Sequence, residues 1–132
     1  MADFLVDTSV LIDALNGKGG RAEALLDLLG QGHMLGSCAV IVAEVYAGMH
    51  PSEAEATDAL LTRLHYYDTS REVARIGGRL KYDWRRRGES LSLADVLIAA
   101  TALHYGLTLV SDNVTHFPMP ELRIHTLPAE LK

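Results

Sequence analysis

Apolar residues fall along this chain in two alternating patterns: short unbroken runs, and longer stretches with apolar positions three and four apart. Residues 3–6, Met34 to Cys38 and Leu107 to Ser111 are stretches too short for helices and read as strands. Helical spacing begins at residues 9–15, for which Asp7, Thr8 or Ser9 can supply the cap. After the flexible Asn16-Gly17-Lys18-Gly19-Gly20 break it returns as the stripe Ala22, Leu25, Leu26 and Leu29, closed by Gly30 and Gly32. Ala39 to Ala47 predicts a helix ending near Gly48, with Pro51 marking the next boundary. Another helix is expected from Glu53 to Leu64, carrying Ala56, Leu60, Leu61 and Leu64 on one side.

His65-Tyr66-Tyr67 reads as an extended joint. Thr69 and Glu72 then have capping-box spacing before a long helix with Val73, Ile76, Leu80 and Trp84 on one face. The Gly77-Gly78 pair inside it costs about 1 kcal/mol per residue in helix propensity. A close helix contact that offsets this cost, or a kink, is therefore expected there. Gly88 terminates that helix, and Leu93 to Tyr105 forms the next, ended by Gly106. Arg123 to Leu127 predicts a last strand, while Pro118, Pro120 and Pro128 keep the tail out of long regular elements.

Helical crossovers between short apolar strands imply an α/β fold: a three-layer α/β/α sandwich with a short, mainly parallel sheet. At 132 residues the chain fits one domain, 1–132, with a sizeable core. Composition changes this picture little, since 48% apolar and 22% charged residues are ordinary for a soluble globular protein. No apolar run has the length of a membrane span, and no basic segment followed by an apolar stretch suggests a secretory signal. Cys38 is alone, which rules out an internal disulfide and fits a reducing compartment, so a cytoplasmic location is expected.

Charge adds more. The net charge of -5 argues against a protein that coats nucleic acid by charge alone. From Arg71 to Arg87, however, seven basic residues (Arg71, Arg75, Arg79, Lys81, Arg85, Arg86, Arg87) stand against Glu72 and Asp83. A basic stretch of this kind suits a polyanion; equally, it is a solvated helix whose basic last turn is favoured by the helix dipole.

The candidate chemistry lies in carboxylates beside apolar segments, where a charge is costly unless something pairs with it. Asp7 follows the first strand, Glu44 interrupts Val40 to Val45, Asp95 follows Leu93-Ala94, and Asp112 follows the Leu107 to Ser111 run. Parallel sheets place their sites beyond the C-terminal strand ends, where Asp7 and Asp112 stand. Each residue also has a plain structural role available: turn or cap acceptor for Asp7, solvated boundary residue for Glu44, first-turn acid for Asp95, turn former for Asp112 and Asn113. Together they suggest a shared polar site held by a divalent cation. The six histidines show no zinc-like grouping, no glycine loop follows a strand with a P-loop ending, and no serine sits in a nucleophile elbow.

Four segments, in order, carry a resemblance: Leu5 to Asp13, Ala43 to Gly48, Leu91 to Ala100, and Leu109 to Phe117. In these the chain resembles the PIN-domain family, and its length and C-terminal motif resemble the VapC toxins of bacterial type II toxin–antitoxin systems. The resemblance implies a parallel α/β/α domain with a magnesium- or manganese-dependent endoribonuclease site, a homodimer, and inhibition by a cognate VapB antitoxin. It maps the acidic positions to Asp7, Glu44 and Asp95, and the hydroxyl after the first of them to Ser9. At the fourth position the chain departs from the family's Thr-x-Asp/Asn pattern. Aligning Ser111 with the threonine puts Asn113 and His116 on the usual polar positions and Asp112 on the variable one. Two arrangements stay open: Asp112 reaching the metal by a local shift, or Asn113 binding through water.

RNA hydrolysis needs an activated water and shielding of an anionic phosphate, and Mg2+, or Mn2+, held by hard carboxylate oxygens provides both. Asp7 and Asp95 are the expected main ligands, with Glu44 and Asp112 beside them and Ser9 orienting a phosphate or a water. Arg79, Arg85, Arg86 and Arg87 are the expected contacts to the RNA backbone. The competing readings are a PIN-like nuclease used in RNA processing or acting on DNA, and a nucleic-acid-binding module that keeps the fold without catalysis.

Overall fold

In the computed structural model, which describes residues 3–128, five short strands line up side by side: β1 (Asp3–Val6), β2 (Met34–Cys38), β3 (His65–Tyr67), β4 (Thr108–Val110) and β5 (Ile124–His125). Their order is β3-β2-β1-β4-β5, and every pairing is parallel. Six helices flank this sheet: α1 (Thr8–Leu15), α2 (Arg21–Gly30), α3 (Ala39–Gly48), α4 (Ala54–Thr62), α5 (Arg71–Arg86) and α6 (Leu93–Tyr105). This is the α/β/α sandwich expected from the pattern. β1 reads as an uninterrupted apolar run because it is the central strand, covered on both faces, with Leu5 and Val6 fully buried. Among the described residues, no helix is long and apolar enough to cross a membrane.

Three elements differ from the sequence reading. His65–Tyr67 is not a joint but the edge strand β3, pairing Gly36 with His65 and Cys38 with Tyr67. As an edge strand it is only partly covered, so it lacks the apolar signal of its neighbours. The cap of α5 is Ser70, whose hydroxyl accepts from Val73 N at 3.2 Å. Thr69, which the capping-box spacing had favoured, instead has a buried hydroxyl without a hydrogen-bond partner. The last strand is confined to two residues, Ile124 and His125.

The glycine pair of α5 resolves into two different roles. The helix runs unbroken through both residues and packs along α6. A Cβ on Gly77 would sit 3.0 Å from Leu97 Cδ2 and 3.4 Å from Val96 O, whereas one on Gly78 would meet nothing within 4 Å. Gly77 therefore permits the close helix approach, and Gly78 contributes nothing to it. Accordingly, Gly78→Ala is expected to raise stability by about 0.5–1 kcal/mol through helix propensity. Gly77→Leu is expected to lower stability by about 1–3 kcal/mol through overpacking. Urea denaturation of both variants measures the difference.

Candidate metal centre

The C-terminal end of β1 sets the centre. Asp7 N still donates to Val110 O (2.9 Å), so the residue remains in the sheet, yet its carbonyl already accepts from Val10 N and Leu11 N as the N-cap of α1. The residue is 4% exposed. Oδ1 accepts from Thr8 N (2.8 Å), and Oδ2 accepts from the fully buried Ser111 hydroxyl (2.7 Å) at the end of β4. Burial pushes the Asp7 carboxyl above the usual carboxylate range. The Ser111 and Thr8 hydrogen bonds oppose that shift, and the charges of Asp95 and Glu44 push it further up.

The other two carboxylates arrive on helices. Glu44 projects from α3, and its Oε1 accepts from the Thr8 hydroxyl at 2.7 Å. Asp95 lies in the first turn of α6, where the Ser92 hydroxyl takes the capping bond from Asp95 N (3.1 Å) and leaves the carboxylate free of that role. Asp95 Oδ2 lies 3.6 Å from His116 Nδ1. A single turn of 3-10 helix, Val114–His116, carries that imidazole there. Asn113 completes this side, donating from Nδ2 to the Ser9 hydroxyl (3.2 Å) and from its backbone N–H to Ser111 Oγ (3.0 Å).

Asp112 is placed differently. Its two oxygens accept from Arg21 Nε (3.1 Å) and Nη2 (3.0 Å), a bidentate pair with the first residue of α2. The structure thus gathers Asp7, Glu44 and Asp95 with Ser9, and adds Asn113 and His116, while the carboxylate of Asp112 is turned onto a guanidinium. Thr8, Ser111 and Arg21 were not singled out as site residues from the sequence. Ser111 had a signal, a small hydroxyl just past a strand. Arg21 had none, since its partner lies 91 residues away.

The donor set suits a small hard cation. A positive partner would stabilise a buried carboxylate with two like charges beside it, and its neighbours offer oxygen donors. Among the described residues, no three acidic, histidine or cysteine side chains converge tightly enough to form a ligand cage unaided. Mg2+ keeps several waters and takes few carboxylates directly, so it does not require such a cage.

The basic stretch is less uniform than its sequence suggests. Arg75 pairs with Glu72, and Arg79 Nε lies 3.9 Å from Asp83, so both are partly neutralised. Among the described residues Arg85, Arg86 and Arg87 have no carboxylate partner. Arg85 and Arg86 each sit 5.9 Å from the ring centre of the exposed Tyr82, and Arg87 4.7 Å from that of Trp84. Lys81 Nζ donates to Leu91 O, tying the C-terminal half of α5 to the loop that enters α6 and Asp95.

Known proteins share this arrangement of elements. The family model described as PIN domain matches residues 4–116. The chain is 34% identical over 120 residues to Ribonuclease VapC19 of Mycobacterium tuberculosis, a match covering 90% of this chain and 96% of the relative. It is 35% identical over 118 residues to Ribonuclease VapC10 of the same organism, covering 89% and 88%. Among solved structures, VapBC2 from Rickettsia felis bound to a DNA fragment from its promoter superposes with a TM-score of 0.84. That match has 23% identity and covers 96% of this chain and 99% of that chain.

Proposed function

This chain belongs to the PIN-domain family, and we propose on that footing that it is a metal-dependent endoribonuclease toxin, hydrolysing RNA phosphodiester bonds and held inactive by a cognate VapB-like antitoxin. The observation that carries the reading is Asp7: a carboxylate buried at the C-terminal edge of the central strand, with the charges of Glu44 and Asp95 beside it. The ribonuclease names of the relatives and the likeness to VapBC2 support the same assignment. Its place of action is then the cytoplasm, among its RNA substrates and with Cys38 reduced.

Mg2+, with Mn2+ as substitute, supplies charge neutralisation at the scissile phosphate and activation of the attacking water. Asp7 and Asp95 would hold the ion, with Glu44, which accepts from the Thr8 hydroxyl, as the further carboxylate beside them. Ser111 and Thr8 N orient the Asp7 oxygens, and second-partner bonds of this kind commonly tune metal affinity. The fourth side of the site belongs to Asn113 and His116, with Asp112 engaged by Arg21. Ser9, fixed by Asn113, orients a phosphate oxygen. Arg85, Arg86 and Arg87 contact the RNA backbone, which positions the strand without reading it. A homodimer, as the family implies, is the working assembly.

Incubating the purified chain with RNA is expected to yield cut fragments in Mg2+, none in a chelator, and none after addition of the antitoxin encoded beside it. Mapping new 5′ ends in cellular RNA after brief expression then identifies the cut sites. RNA binding without cleavage in either metal would leave only a binding module. Replacing Arg85, Arg86 and Arg87 by Gln is expected to raise KM and flatten its salt dependence by about one unit of log–log slope per lost phosphate contact.

A further inference from the structure

Arg21 is an unusual residue for its position. A cation in the first turn of a helix opposes the helix dipole, so its placement does not serve α2. Gly19 and Gly20, both with left-handed backbone (φ 64° and 66°), deliver it from the loop after α1. Its side chain is only 12% exposed, and its hydrogen bonds leave the helix. Nη1 donates to Pro128 O (2.8 Å) and to Gly19 O (3.3 Å), while Nε and Nη2 grip both oxygens of Asp112.

Asp112 stands between two residues that face the carboxylate cluster. Ser111 continues strand geometry, donating from its N–H to His125 O (3.3 Å), and its hydroxyl reaches Asp7. Asn113 reaches Ser9 and, through its N–H, the Ser111 hydroxyl. The chain bends at Asp112, and the bond from Asn113 N–H to Ser111 Oγ closes that bend with Asp112 at its tip. Anchoring Asp112 to Arg21 therefore fixes the bend from which Ser111 reaches Asp7 and Asn113 reaches Ser9. A planar guanidinium sets the rotation of the Asp112 carboxylate, and with it the backbone, in a way that a point charge such as lysine does not.

We propose that Arg21 is a positioning residue for the metal centre, acting through Asp112 to hold Ser111 and Asn113 in place while touching neither metal nor RNA. The inference rests on the metal-dependent ribonuclease reading above. Its test is a Mn2+ titration of the full chain by calorimetry without RNA, followed by cleavage kinetics, on Arg21→Lys, Arg21→Gln, Asp112→Ala and the Arg21→Gln/Asp112→Ala double variant. Each single variant is expected to weaken Mn2+ binding about tenfold, the scale of losses from such supporting contacts. kcat should fall at subsaturating metal with KM for RNA unchanged, and the double variant should be no worse than either single one. Circular dichroism checks folding, and Arg21→Lys carries the test if the Gln variant does not fold.

Wild-type Mn2+ affinity in the folded variants overturns the proposal, as do losses that add in the double variant. It also falls if Asp112→Ala alone loses Mn2+ as completely as Asp7→Asn while the Arg21 variants bind normally, for Asp112 is then itself a ligand. A wild-type chain that binds Mn2+ but cuts no RNA sinks the ribonuclease reading and leaves the clamp standing.

Discussion

Replacing Asp7 by Asn is expected to lower RNA cleavage by about a thousandfold, equivalent to about 4 kcal/mol of transition-state stabilisation. The same substitution should make the cation-free protein more stable. Both follow from one environment. The side chain is buried, its carboxyl is raised above the usual range by that burial, and Asp95 and Glu44 raise it further. A group whose folded pKa is raised favours the folded state when protonated. Its favourable contribution is present at acid pH, below the ordinary carboxylate value, and is lost as pH rises through the raised folded value.

Wild-type protein in chelator should therefore lose thermal stability relative to Asp7→Asn as pH rises through that raised value. The variant keeps an oxygen for Thr8 N and an amide that can donate to the Ser111 hydroxyl. Added Mn2+ should reverse the order by stabilising the wild type through binding and the variant much less. Melting curves against pH, with chelator and with Mn2+, provide the check. Parallel curves for the two proteins, or full activity in the variant, would remove Asp7 from the centre of the site.

A second large effect is expected far from the chemistry. Gly36 lies in β2 between Leu5 of β1 and His65 of β3. A Cβ there would collide with Tyr67 Cε2, lie 2.9 Å from Tyr67 Cδ2 and 3.1 Å from His65 O. The Tyr67 ring has little freedom to give way, since His65 meets it on one side (4.6 Å between ring centres) and Tyr105 on another (5.0 Å). Gly36→Ala should therefore cost about 2–3 kcal/mol as an overpacking substitution. For a chain of this size that lowers Tm by about 10 °C. Differential scanning calorimetry measures it, and adding Tyr67→Ala to Gly36→Ala should recover part of the loss relative to additivity. An unchanged Tm in the single variant would mean that β3 yields easily, as a loosely held edge strand.

What the amino-acid pattern conveyed was local. The helix from Leu93 to Tyr105, its terminating Gly106 and the strand entering Asp7 follow from periodicity and end signals carried within a few residues. Asp7, Glu44 and Asp95 were legible one at a time, because a carboxylate beside a buried run is an anomaly wherever it stands. β3 was not legible as a strand, because an edge strand with polar and aromatic residues lacks the apolar run that marks a buried one.

The cross-chain bonds belong to the tertiary structure alone. Thr8 meeting Glu44, Ser111 meeting Asp7, and Arg21 taking Asp112 while Asn113 and His116 face the cluster all depend on the sheet order β3-β2-β1-β4-β5. Local spacing reports which face of a segment is buried, but not which distant segment lies beside it. For that reason the sequence by itself determined where charge sits against apolar chain, and only the fold decided which of those charges share a site and which is paired elsewhere.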